Sequence, residues 1–144
     1  MAWNKLIIAL CLPFILSACS IRQNELEIKY LEVGGTKIKV ELAQTEFERY
    51  RGLSGREKLC DDCGMLFVFP EARKTGFVMR DMKFPLDMIG IREGRVVAID
   101  ENCQPDEATV YQDEEMVDKV LEVKAGTVSS LGIKLGNGVI FDSL

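Results

Sequence analysis

The sequence predicts a mainly β domain with short helices (α+β), built as a curled or partly closed antiparallel sheet in a single compact unit. Three observations predict it. Short stretches of alternating polar and apolar residues recur along the chain. Turn signals such as Gly34-Gly35, Arg92-Glu93-Gly94 and Gly136-Asn137-Gly138 separate them. Helical signals are few and brief, so little helix is available to cross between parallel strands, and the sheet must curl or close. The 144 residues, 47% hydrophobic and 28% charged, suit one ordered domain with its own core.

The first residues read as an export leader. Lys5 supplies a positive start, and an apolar run follows from Leu6 to Leu16, interrupted by Pro13. Eleven residues are too few to span a bilayer, which takes about 20, but they match the core of a signal peptide. The run ends in Leu16-Ser17-Ala18-Cys19, with small residues before the cysteine. This tetrad resembles the lipobox of bacterial lipoproteins. The resemblance implies a leader over residues 1–18, cleavage before Cys19, and acylation of Cys19, with palmitate among the expected chains. Residues 19–25 then form a lipidated tether, and residues 26–144 the domain. Two or more acyl chains anchor a protein durably. Ser20 in place of Asp favours, by analogy with enteric bacteria, the periplasmic face of an outer membrane.

The elements follow in order. Leu26, Ile28 and Tyr30 alternate with charged residues, as do Ile38, Val40 and Leu42, so two half-buried strands flank Gly34-Gly35. A two-residue turn would set Lys29 opposite Val40; a three-residue loop, Gly34 to Thr36, sets Tyr30 there and keeps the apolar residues on one face. The three-residue loop is therefore expected. Thr45-Glu46-Phe47-Glu48 is a capping box, and Phe47 and Tyr50 share a helix face expected to point inward. Gly52 and Gly55 end that helix. Residues 65–69 read as a buried strand closed by Pro70. Further strands are expected at 75–80, 86–91 and 95–100, a polar loop at 102–116, and an alternating strand at 119–123. A helical turn at 125–131 and a last strand at 139–142 complete the series.

The charge balance excludes some functions. The formal net charge is −5, and −6 without Lys5, so the chain offers nucleic acid no basic field. It contains no histidine, which removes Ser-His-Asp and Cys-His mechanisms and the commonest transition-metal ligand. No cofactor and no metal site is expected. Cys60, Cys63 and Cys103 remain in the domain, and the export expected from the leader would place them in an oxidising compartment where disulfides form. Cys60-Asp61-Asp62-Cys63 has redox or zinc spacing. However, an apolar strand rather than a helix follows it, the two Asp residues would raise thiol pKa values, and zinc would lack its four ligands. A bridge from Cys60 or Cys63 to Cys103, across a long loop, is the preferred expectation.

The block Arg51-Gly52-Leu53, Arg56, Leu59, Gly64 to Pro70, Phe77-Val78-Met79 and Pro85-Leu86-Asp87 resembles the domain of unknown function family 192. The resemblance runs on through Gly94 to Val97, Glu101-Asn102, Pro105 and Leu121 to Gly126. It implies a compact β-rich, frequently exported domain with no established activity. The family's Phe-Trp-Met stands here as Phe77-Val78-Met79, and its Lys-Asn-Thr as Arg80-Asp81-Met82. Six polar residues beside the motif's glycines and strand ends are candidate ligand-binding groups: Arg51, Arg56, Arg80, Asp81, Asp87 and Glu101. An arginine fork suits carboxylates and phosphates, while the aspartates would accept hydroxyl hydrogen bonds. Against this, Asp87 is read slightly better as a structural group, paired with an arginine or capping backbone amides. Met65, Met79, Met82 and Met88 read as core, and Asp113-Glu114-Glu115 as a solvated loop. The favoured function is a non-catalytic envelope module that binds a sugar, a peptide or another small polar or anionic ligand. Two rivals are a glycan-cleaving enzyme using Asp81, Asp87 and Glu101, and a structural or partner-binding lipoprotein.

Overall fold

The computed structural model describes residues 25–142, apart from Glu107 and Asp113. The leader, Cys19 and the tether up to residue 24 therefore lie outside the described residues. Among the described residues no helix is long and apolar enough to cross a membrane.

The chain forms β1 (Ile28–Val33), β2 (Thr36–Ala43), α1 (Glu46–Arg51), β3 (Cys63–Arg73), β4 (Gly76–Val78), β5 (Leu86–Arg92), β6 (Arg95–Cys103), β7 (Val110–Gln112), β8 (Val117–Lys124), α2 (Thr127–Leu131) and β9 (Val139–Phe141). Seven strands make one sheet, in the order β6-β5-β8-β3-β2-β1-β9, and β4 pairs with β7 in a separate ribbon. Every pairing is antiparallel except β2 with β3. The sheet curls until its two edges meet at one end. The Val96 N–H donates to the Asn137 carbonyl at 3.0 Å, that of Gly136 to Val96 at 2.8 Å, and that of Val139 to Gly94 at 2.8 Å. The result is the curled, partly closed architecture expected from the strand pattern.

Curling gives the central strands two buried faces. The inner face carries Leu31, Val33, Ile38, Val40, Leu42, Leu66, Ile89, Ile91, Val96, Leu121 and Val123, and α2 plugs it with Val128. The outer face carries Met65, Phe67, Leu86, Met88 and Val120, and is covered by Leu53, Met79 and the β4–β7 ribbon. Fully burying one such side chain contributes about 1.5–3 kcal/mol. This explains why β8 does not alternate as expected at 119–123: it is covered on both sides, so Val120, Leu121, Glu122 and Val123 are all buried.

Four other local expectations need correction. The first hairpin uses the two-residue turn, with Val33 opposite Thr36 and Lys29 opposite Val40. Gly34 and Gly35 both take positive φ, 60° and 74°, as a type I′ turn requires. Leu31 and Val33 then supply the apolar face, while Ile28 and Tyr30 are exposed. Phe47 and Tyr50 do not pack inward: each is 70% exposed, because α1 buries no residue and Leu53 beyond it fills the core instead. The capping box itself is present, with the Glu48 N–H donating to the Thr45 hydroxyl at 3.2 Å. β3 runs past Pro70 to Arg73; its register with β8 shifts between Val68 and Arg73, so the residue lacking an N–H sits where the ladder is already broken. The polar stretch 102–116 contains β7, held by β4.

The expected staple to Cys103 is absent. Cys60 bonds to Cys63, with Cα atoms 5.1 Å apart, and Cys103 is a free thiol. The reason is topological. Cys60 and Cys63 sit at the exposed entrance to β3, beside Lys39 of β2, whereas Cys103 is buried at the end of β6 opposite Leu86. Its thiol reaches only the Asp100 carbonyl, at 3.7 Å, and burial pushes its pKa up to about 12, aided by the nearby charges of Asp100, Asp87 and Glu122. Cys60, Asp62 and Cys63 form a group of potential metal ligands within 4.8 Å, but their sulfurs are bonded to each other.

Candidate functional site

A cavity of about 350 Å³ lies on the outer face of the sheet. Its floor is the sheet itself: Phe67 of β3, Leu86 of β5 and Glu122 of β8. One wall is the end of α1 and the turn after it, Arg49 to Ser54. The other is the segment from Arg73 to Met82, which includes β4. The walls are tied together across the cavity. The Ser54 hydroxyl donates to the Arg80 carbonyl at 2.9 Å, the Gly55 N–H to the Asp81 carbonyl at 2.9 Å, and an Arg80 N–H to the Tyr50 carbonyl at 3.3 Å. The Arg80 guanidinium also sits 4.4 Å from the Tyr50 ring centre. Phe67 and Phe77 meet edge to face, 5.1 Å apart, and join the floor to the ribbon.

Glu122 is the singular group of this site. It is 5% exposed, and burial raises its pKa to about 8. Its cross-strand neighbours are Met65 and Met88, so nothing polar faces it from the adjoining strands. Among the described residues no side-chain nitrogen or oxygen that is fully occluded lacks a partner. The Glu122 carboxyl has none, so its oxygens must open into the cavity it lines. Close strand packing holds it there. A Cβ on Gly64 would lie 2.7 Å from the Glu122 carbonyl oxygen, so only glycine lets β3 approach β8 this closely.

Five cationic side chains line the same cavity: Arg49, Arg51, Arg73, Lys74 and Arg80. Arg49 is committed to the carbonyls of Gln44 and Val68 and lies against the Phe69 ring. Arg80 is committed to Tyr50, and Lys74 to Glu114 at 3.6 Å. Arg51 and Arg73 have no ion pair or hydrogen bond among the described residues. No cation contributes to the Glu122 shift, for which burial is the whole cause. Five cationic groups and one buried acid thus line the same cavity.

The six residues singled out from sequence divide. Arg51 and Arg80 line the cavity. Arg56 does not: its guanidinium grips both Glu41 oxygens at 2.6 Å, holding the Glu41 carboxyl below its usual range. Asp81 occupies a turn at φ 55° and acts through its carbonyl. Asp87 is buried on the inner side, where its oxygens accept the Asn102 and Val128 N–H groups, each at 2.9 Å, pinning β6 and the first turn of α2. Glu101 is exposed on β6. Asp81, Asp87 and Glu101 thus do not converge on the cavity. Sequence reasoning missed Glu122, Arg73, Phe67 and Phe77 as cavity residues. One signal was available: Glu122 is a lone carboxylate inside the apolar run Val120 to Val123.

Similar crystal structures include two bacterial proteins. A Sinorhizobium meliloti protein described as a "putative transcription regulator" is 32% identical, with a TM-score of 0.79; the match covers 83% of this chain and 98% of that one. A Novosphingobium aromaticivorans protein of unknown function is 34% identical, with a TM-score of 0.74, over 79% of this chain and 85% of that one. No curated protein matches. The profile of DUF192, described as "Uncharacterized ACR", matches residues 29–141. That match spans most of the chain and includes the block from Arg51 to Asp87, so the chain belongs to the DUF192 family.

Proposed function

We propose that this chain is a lipid-anchored envelope protein whose outer-face cavity binds a small polar or anionic ligand without transforming it. The observation that carries the binding role is Glu122, a buried carboxyl with no partner among the described residues, opening on a cavity that also holds Arg51 and Arg73, neither of them in an ion pair or hydrogen bond among those residues. A buried polar group without a hydrogen bond costs about 1–3 kcal/mol, and a ligand that supplies the bond offsets that cost. The absence of histidine and the scatter of Asp81, Asp87 and Glu101 support binding over catalysis. The leader over residues 1–18 and the lipobox at Cys19 support the anchor. The relative described as a regulator would point to nucleic acid, but a net charge of −5 disfavours that partner here.

Two experiments test the two halves. Growth with labelled palmitate should label the native chain and leave Cys19→Ala unlabelled; labelling of the variant refutes the anchor. Thermal-shift screening against envelope sugars, peptides and small organic acids should find a class that raises Tm for the native chain and not for Glu122→Leu. If no class does so, the binding role falls. Phe47 and Tyr50, exposed three residues apart on α1, favour a second reading as a partner-binding lipoprotein. Crosslinking in the native envelope would then give a product lost in Phe47→Ser/Tyr50→Ser.

A further inference from the structure

We propose that the ligand is a small organic monoanion with an apolar body, its anionic group held by Arg51 and Arg73 and an uncharged oxygen at its other end bonded to the Glu122 carboxyl. The inference rests on the cavity being a binding site and names what it selects.

The walls decide the body of the ligand. Leu53, Phe67, Phe77, Met79 and Leu86 line the cavity with apolar surface, two of them aromatic. At about 350 Å³ the space is near the lower end for small-molecule sites. The charges decide its polarity. Arg49, Arg80 and Lys74 already have partners, which leaves the forks of Arg51 and Arg73 to take a carboxylate or a phosphate-like group. At the buried end, Glu122 is neutral at pH 7, because burial lifts its pKa to about 8. A protonated carboxyl donates one hydrogen bond, which suits a carbonyl, ether or hydroxyl oxygen. An ammonium group would have to pass the cationic side chains and ionise a buried acid; a neutral oxygen does neither. The other ionisable groups around Glu122 are Arg49, Arg51 and Tyr50 from α1 and its end, Arg73 of β3, Lys74 and Arg80 beside β4, and Cys103 of β6 with its thiol pushed up to about 12. The arginines stay charged throughout, so Glu122 governs binding near pH 8. Ionising it removes the donor and sets a second negative charge in the ligand's space.

The test uses the full chain in detergent and calorimetric titration with a panel of aromatic and alkyl monocarboxylates bearing a distal hydroxyl or carbonyl. Each is paired with its uncharged amide and with the corresponding amine. The expected result is at least a tenfold preference for a carboxylate over its amide at low salt, abolished in Arg51→Gln/Arg73→Gln. Affinity should fall as pH rises from 6 to 9. Glu122→Gln, which keeps a donor, should bind and lose that pH dependence; Glu122→Leu should fold and bind at least tenfold more weakly. If amides or amines bind and carboxylates do not, or if affinity rises with pH, this inference is overturned while the cavity remains a binding site. If no member of any of the three classes binds, the binding role itself fails.

Discussion

Two buried carboxylates stand almost back to back in this sheet, and their surroundings are opposite. Asp87 and Met88 lie on β5, opposite Val123 and Glu122 of β8. Asp87 faces the inner side, where two backbone N–H groups fill its oxygens. Glu122 faces the outer side, where no described residue bonds to it and a cavity lies in front of it. A buried carboxylate fully satisfied by backbone amides is architecture: it fixes α2 and β6 in place. A buried carboxyl left unsatisfied costs stability, and what could repay that cost comes from outside the chain. Burial alone does not mark an acid as a candidate binding group; burial together with an absent partner does.

Substitutions at the two carboxylates should have opposite effects. The largest effect is expected at Asp87. Asp87→Ala strands the Asn102 and Val128 N–H groups and removes two charge-assisted bonds, a loss of about 4 kcal/mol in urea unfolding; a loss below about 1 kcal/mol would deny it the structural role. Glu122 should behave in the opposite sense. Glu122→Met is expected to stabilise by about 1–2 kcal/mol at about pH 3.5, where the carboxyl is neutral in both states. Below pH 4.5 the Glu122 carboxyl is protonated whether folded or not. As pH rises from there to about 8 the unfolded chain ionises and the native chain does not. Stability should therefore fall across that window, by up to about 1.4 kcal/mol per pH unit, and the Met variant should lack this slope. A flat native profile would place an undetected partner on Glu122. Arg56→Gln is a smaller matter, about 1 kcal/mol, since the pair with Glu41 is partly exposed. Because the bond from Arg56 holds the Glu41 carboxyl below its ordinary value of 4.5, that contribution is present above pH 4.5 and lost as pH falls through the lowered value. Least visible is Cys103. In the native protein its thiol should resist alkylation even after Cys60–Cys63 is reduced; rapid modification would mean that solvent reaches well beyond the cavity on the outer face.

The fold class was legible because strand spacing and turn residues are local signals. Most strands, the capping box at Thr45 and the helical turn near Val128 lie close to where the alternation and caps put them. What failed was information carried by long-range packing. The parity of β1 was ambiguous because Leu31 and Val33 are as apolar as Ile28 and Tyr30, and only the two-glycine turn decides between them. Cys103 could not be excluded from a bridge until the topology put it at the buried end of β6. The site was legible on one side only. Arg51 and Arg80 belong to the recognised block and do line the cavity, but the buried end is set by which face of β8 looks outward, and periodicity does not reveal that in a strand covered on both sides.

The seam between residues 94–96 and 136–139 also has a consequence for assembly. β9 joins β1, the earliest strand among the described residues, at only three register positions, Leu31, Glu32 and Val33. A polypeptide emerging from a ribosome or a translocation pore can pair its first eight strands while this gap stands open. The hydrophobic interior stays accessible to chaperones, and to rival edge strands, until the segment beyond Gly136 arrives and latches it.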